Sequence, residues 1–247
     1  MLRNIRDLEG YAIRATDGDV GHVTDFYFDD EAWVVRYLIV DTGSWLSSRK
    51  VLISPIAIGR PNGTDRELPV SITKEQVQGS PDIDTETPVS RQEEINFLVH
   101  YGYQQYWGDT GLSGTGTNPG MMMPQFVSTP SVIEPRPDVP DPLPETALQE
   151  DVDPHLRACN MVMGYHIVAS DGDIGHVKGI LVDEETWAIH YFIVDTSNWW
   201  LGHQVLIAPE WIEGVSWSEE TVTVGLTRQA VKDAPPYDPA VTVDLEP

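Results

Sequence analysis

The sequence is poor in several things that would narrow its chemistry. Of its 247 residues one is cysteine, Cys159. A lone cysteine excludes an intrachain disulfide and fits a reducing compartment. The matching position of an internal repeat holds Ile5, so Cys159 reads as a small buried apolar residue and not as a nucleophile. Positive charge is scarce: 15 Lys and Arg stand against 39 Asp and Glu, a formal charge of −24. Such an excess repels phosphate backbones and anionic lipid, and the basic residues are scattered, with Arg49-Lys50 the densest pair. Nucleic acid is therefore not an expected partner. No apolar run approaches the roughly 18 residues of a membrane span, and the opening stretch MLRNIRDLEGY lacks the apolar core of a signal peptide. The expectation is a soluble, cytoplasmic chain without a membrane span. Signatures of catalysis are missing too: there is no Gly-x-Ser-x-Gly elbow, no phosphate-cradling Gly-x-x-x-x-Gly-Lys-Ser/Thr and no Gly-x-Gly-x-x-Gly after a strand. No cofactor is expected, and no catalytic residue is nominated.

What the chain does have is the same passage twice. GYAIRATDGDVGHVTDFYFDDEAWVVRYLIVDT begins at Gly10, and GYHIVASDGDIGHVKGILVDEETWAIHYFIVDT begins at Gly164. An offset of 154 aligns Asp41 with Asp195, Leu2-Arg3 with Leu156-Arg157, Pro55 with Pro209 and Pro81 with Pro235, without a gap. A period this long marks duplicated domains and not a solenoid, whose repeats run to roughly 20–50 residues. The expected division is a first copy at 1–84, a helix with an aromatic tail at 85–107, a Gly/Pro-rich acidic linker at 108–155 and a second copy at 156–247. The linker composition predicts a disordered-to-polyproline segment, in which Met121, Met122 and Met123 are a candidate sticky contact.

Within each copy the pattern is that of short antiparallel strands. Tyr11, Ile13 and Ala15 alternate with Ala12, Arg14 and Thr16, and Asp17-Gly18 supplies a tight hairpin turn that Asp171-Gly172 repeats. Gly21, inside the second strand, predicts a bulge or a close backbone approach. On the third strand Val35, Tyr37 and Ile39 match Ile189, Tyr191 and Ile193, so that face is expected in the core. Thr73 with Gln76, and Ser90 with Glu93, have the form of capping boxes, with Ile95, Leu98 and Val99 as the apolar face of the second helix and Gly102 as its stop. Twisted strands with tight turns predict an all-β class with minor helices: two tandem small barrels. A domain of about 80 residues is marginal alone. The barrels are accordingly expected to pair within the chain about a pseudo-two-fold axis, with residues 90–107 across or beside the seam; a homodimer is the further possibility.

Candidate sites are few. Asp17, Asp19 and His22 recur as Asp171, Asp173 and His176 and offer oxygen and nitrogen ligands. Their spacing misses the EF-hand rule, and Asp-Gly is the common hairpin pair, so turn chemistry is the expected role and metal binding the second. The aromatic turns DTGSWLSSRK and DTSNWWLGHQ carry Trp45, Trp199, Trp200 and His203, and the tail after the helix carries Tyr103 and Trp107. These six are the interaction candidates, since tryptophan is over-represented at binding hot spots; the alternative is that the shared tryptophans plug barrel ends.

The segments GYAIRATDGDVGHVTDFYFDD, YLIVDTGSWL, KVLISP and VSITKEQVQGSPDID, with their second-copy equivalents, resemble the PRC-barrel family. That family takes its name from the cytoplasmic domain of the photosynthetic reaction centre H subunit and includes the C-terminal domain of the ribosome-maturation protein RimM. The chain is similar to stand-alone bacterial members. It has neither the membrane helix of the one relative nor the unrelated N-terminal barrel of the other, so neither job transfers. The resemblance implies small β-barrels that contact other macromolecules. The expected function is a non-catalytic adaptor or scaffold with an acidic surface for a protein partner; a ligand- or metal-binding sensor is the second reading and an enzyme the third.

Overall fold

A computed structural model describes residues 1–59, 65–82, 89–106, 155–196, 203–233 and 236–238. The chain is mostly β with few helices. In the first half β1 is Leu2–Asn4, β2 Ala12–Ala15, β3 Gly18–Asp29, β4 Val34–Asp41, β5 Lys50–Ile53 and β6 Glu67–Pro69, followed by α1, Lys74–Gln78, and α2, Arg91–Tyr101. The second half runs β7 Leu156–Ala158, α3 Cys159–Val162, β8 His166–Ala169, β9 Gly172–Asp183, β10 Ile189–Asp195, β11 Gln204–Ile207, β12 Ile212–Ser216, β13 Thr221–Val224 and α4 Arg228–Asp233. The expected linker lies, but for His155, outside the described residues, and so do Met121, Met122 and Met123.

Local chemistry sets the strand breaks. The register of β2 on β3 slips between Ile13 and Arg14, opposite Gly21. There the carbonyl of Asp41 passes so close that a Cβ on Gly21 would sit 1.9 Å from its oxygen, and Gly175 meets Asp195 at the same 1.9 Å. Only glycine admits that approach. Pro55 ends β5 by opening a 3-10 turn over Pro55–Ala57, and Pro209 does the same after β11.

The strands form two sheets, ordered β5-β4-β3-β2-β6 and β11-β10-β9-β8-β13-β12. The expected closed barrels are not seen as continuous ladders: among the described residues the end strands of the first sheet are linked only through the turn after β5, by a bridge between Ile58 and Val70. Proline at the end of β5 removes the N–H that would carry the ladder onward. In the second half the same bridge is extended into a pair, Ile212 with Val224 through Ser216 with Thr221.

Each sheet takes one further strand from the other half, laid on its long interior strand. β1 lies antiparallel on β9, with Leu2 opposite Asp183 and Asn4 opposite Leu181, while β7 lies on β3, with Leu156 opposite Asp29 and Ala158 opposite Tyr27. The two pairings are the same positions exchanged. Between them Val34 bridges its own counterpart, Ala188, flanked by Val35 N–H to the Trp187 carbonyl at 2.9 Å and Ile189 N–H to the Trp33 carbonyl at 2.7 Å. Residue i meets j and j meets i, the signature of an isologous contact, here within one chain. Burying Leu2 and Leu156 at this seam stabilises it by about 2 kcal/mol each.

The core differs from the alternation read off β4. Val35, Leu38 and Val40 face the inner cluster, whereas Tyr37 and Ile39 lie on the outer face and are buried there under α2. The cause is a register slip between Tyr27 and Phe28 that passes over Arg36 and shifts the side-chain phase by one residue. α2 begins at the Ser90 capping box and stops at Gly102, whose φ of 70° is left-handed. Its buried residues are Glu94, Phe97 and Leu98; Val99, expected on the apolar face, is 72% exposed. The buried face is rotated by about one residue from that reading. As a result α2 sits beside the seam, over the first sheet alone.

Candidate interaction surface

At the seam the turn after β3 places Trp33 and the turn after β9 places Trp187. Both adopt left-handed backbone, φ 54° and 60°, and each donates its N–H four residues back, to Asp29 at 2.8 Å and Asp183 at 2.9 Å. Trp33 stacks on Phe28 (5.8 Å between centroids) and meets Phe192 of the other half edge-on at 5.5 Å. Trp187 reaches back to Phe26 at 6.4 Å. The inner core thus runs through both halves. An apolar void of about 10 Å³ beside Phe28, Trp33, Phe192 and Trp217 has room for one water-sized sphere, too little for an organic ligand.

The outer face of the first sheet carries a buried polar cluster. Glu94, with a fully buried side chain, accepts from the Tyr37 hydroxyl at 2.8 Å and from the Tyr106 hydroxyl, and lies 3.3 Å from both Arg91 and His155 Nε2. The Arg36 guanidinium covers the Tyr106 ring at 3.8 Å and pairs with Asp29 at 3.3 Å. Burial, and after it the Glu94 charge, push both tyrosine hydroxyls far above their usual range. They remain donors to the carboxylate. Because His155 and Arg157, which pairs with Asp30 at 2.8 Å, enter from the second half, this cluster ties α2 and its aromatic tail to the exchanged strand. In the other half Arg3 pairs with Glu184, the counterpart contact.

A second asymmetric group lies at Asp25. Its carboxylate accepts from the N–H of Phe26 at 2.8 Å and of Asn160 at 3.1 Å, and burial pushes it up to about 6. Gly179 occupies the matching place. Cys159, beside it, is fully buried, which drives its thiol well above the ordinary range, as an inert apolar slot requires.

The residues singled out from sequence are dispersed. Asp17 accepts from the Lys74 N–H at 2.8 Å and Asp171 from the Arg228 N–H at 2.7 Å, so each hairpin turn is tied to the start of the short helix, α1 or α4, that follows its sheet. Asp19 is exposed and pairs with Arg14 at 3.3 Å; Asp173 and His22 are also exposed. His176 is half-buried with its ring 4.4 Å from that of His166. Among the described residues no three His, Cys, Asp or Glu side chains converge as a metal would need. Trp45 is half-buried against the core, donates its indole N–H to the Val20 carbonyl and lies under the Lys74 ammonium at 4.3 Å. Tyr103 stacks on Tyr101 at 5.6 Å, and the His203 carbonyl accepts from Thr196. Trp107, Trp199 and Trp200 lie outside the described residues. The groups that join the halves, Trp33, Trp187, Glu94 and His155, were not nominated. The tryptophans had a signal, repetition at the fixed offset after an acidic turn; the other two had none.

Residues 2–77, the span from β1 to α1, match the family model of the PRC-barrel domain. The chain is also similar to a protein of Deinococcus radiodurans whose name says only that it is uncharacterised, with 37% identity over 70 residues. The alignment covers 28% of this chain and 25% of that relative, so the chain spans about a quarter of its length. Among the described residues no helix is long and apolar enough to cross a membrane. The matched residues include the receiving strand β3 and the donated strand β1, but not α2.

Proposed function

We propose that the chain is a tandem PRC-barrel adaptor, a non-catalytic scaffold that binds a protein partner, with residues 156–238 as a second PRC-barrel unit. The observation that carries this reading is the reciprocal strand exchange. It turns two small units into one platform about a pseudo-two-fold axis, and the buried groups found at the seam and under α2 go to joining its parts. The rest of the reading is electrostatic: a formal charge of −24 steers basic protein surfaces toward the platform. The test is capture of partners from native lysate by the full chain at low and at raised salt, alongside screening of the purified protein against small-molecule substrate panels. A reproducible partner released by salt supports the adaptor. Turnover of a small molecule with no partner recovered overturns it.

A further inference from the structure

We infer that the seam selects its partner: two matched contacts, Asn4 with Gly179 and Ala158 with Asp25, admit the opposite half of the chain and reject a copy of the same half. The exchange brings equivalent backbone together twice, yet the side chains at the two places differ in a complementary way. Each donated strand runs into a short turn whose second N–H needs an acceptor, Arg6 after β1 and Asn160 after β7. The Arg6 N–H finds one on its own strand, Asn4 Oδ1 at 3.2 Å, which caps the turn Ile5–Leu8. Ala158 stands in the place of Asn4 and offers no such cap. There the acceptor comes across the seam, from Asp25 Oδ1 on β3, 3.1 Å from the Asn160 N–H. Each contact has one side-chain acceptor for its N–H, supplied by the donated strand in one and by the receiving strand in the other.

Room is divided in the same manner. A Cβ on Gly179, the counterpart of Asp25, would lie 3.0 Å from Asn4 Nδ2 and 3.2 Å from its Oδ1. The Gly179 backbone is not left-handed, so glycine stands there for space. Ile193, 3.1 Å from the same Cβ, is not the obstacle, because its counterpart Ile39 lies opposite Asp25 in the equivalent register. Asn4 is. On the other side of the seam β7 presents only the methyl group of Ala158, opposite Tyr27 and two residues along β3 from Asp25. If the first half paired with its like, Asn4 and Asp25 would crowd together and compete for the Arg6 N–H. If the second paired with its like, Ala158 would meet Gly179, leaving a gap and an Asn160 N–H without its acceptor. Leu2 and Arg3 match Leu156 and Arg157, so the exchanged strands themselves suit either pairing and discrimination falls to these contacts. The duplicated chain thus closes on itself, and a second copy enters the seam only half to opposite half.

The test swaps the contacts in the full chain. Asn4→Ala with Ala158→Asn exchanges the donated side chains, and Asp25→Gly with Gly179→Asp exchanges the receiving ones. Either swap mismatches the two halves of one chain while making each half compatible with its like. All four substitutions together restore the match with the roles reversed. Each swap is expected to lower the urea midpoint by about 0.5–1 M, and to produce a mass by light scattering that rises with concentration beyond that of the wild type. The fourfold variant is expected to regain both the midpoint and the mass of the wild type. Where a swapped chain fails to fold, the fourfold variant still decides, since independent structural roles would make it the least stable of all. A fourfold variant that unfolds or is no more stable than either swap overturns the proposal. Swaps as stable as the wild type overturn it too, and so do swaps that lose stability with no gain in self-association at any accessible concentration.

Discussion

Tyr37 and Tyr191 hold the same place in the two halves and live in different surroundings. Tyr37 is buried beneath α2 with its hydroxyl on Glu94, while Tyr191 is half-buried beside His190. Elsewhere the halves agree closely: the donated strands, the tryptophan turns, the Gly21 and Gly175 approaches and the Asp17 and Asp171 ties all recur. They differ at Asp25 against Gly179, Arg36 against His190, Ala158 against Asn4 and, where the halves meet, Val34 against Ala188. On the outer face of the first sheet α2 covers Tyr37 and Ile39.

The largest break in this comparison is expected at the tryptophans. Trp187 is 6% exposed and Trp33 half-buried. Trp187→Ala is therefore expected to cost about 4 kcal/mol and Trp33→Ala about half that, measured as the shift in urea midpoint of the full chain. Equal losses would show that the seam is symmetric in energy as well as in geometry.

Next comes Glu94→Ala, which leaves two tyrosine hydroxyls and His155 without their carboxylate. A loss of about 3 kcal/mol is expected, confined to α2, β4 and β7 in hydrogen exchange, with β10 and β11 unchanged. If protection falls equally in both halves, the cluster belongs to the whole platform and the contrast drawn here between the outer faces is wrong.

Local signals in the sequence predicted these elements well, and long-range ones poorly. The hairpin at Asp17-Gly18, the close approach at Gly21 and the capping boxes at Thr73 and Ser90 depend on neighbours a few residues away, and the structure has each of them. The exchange of β1 and β7 depends on partners some 130 to 180 residues distant, and a three-residue strand such as Leu2–Asn4 carries no periodicity to announce it. Burial of Glu94 was equally invisible, because its partners Tyr37 and His155 are remote and a helical glutamate is ordinarily solvated. The side-chain phase of β4 departs from alternation for one physical reason, a bulge at Arg36 on β4 itself.

The smallest expected effect separates Asp25 from its glycine counterpart, and its sign follows from linkage. Burial raises the Asp25 carboxyl from 3.8 to about 6 in the folded chain, so its ionisation opposes folding at neutral pH. Its contribution is full below the unfolded value and is lost as pH rises through about 6. The shift is equivalent to roughly 3 kcal/mol, which partial hydration reduces to about 1–2 kcal/mol. Asp25→Asn keeps an acceptor for the N–H groups of Phe26 and Asn160 and removes the charge. The variant is expected to be more stable than the wild type by that amount at pH 8 and no more stable at pH 4, read from urea midpoints at the two values. The high overall negative charge also favours folding as pH falls, but it acts on both proteins alike, so the difference between them isolates the one carboxylate. A constant difference across the range would place the cause in packing against α3 instead of in ionisation.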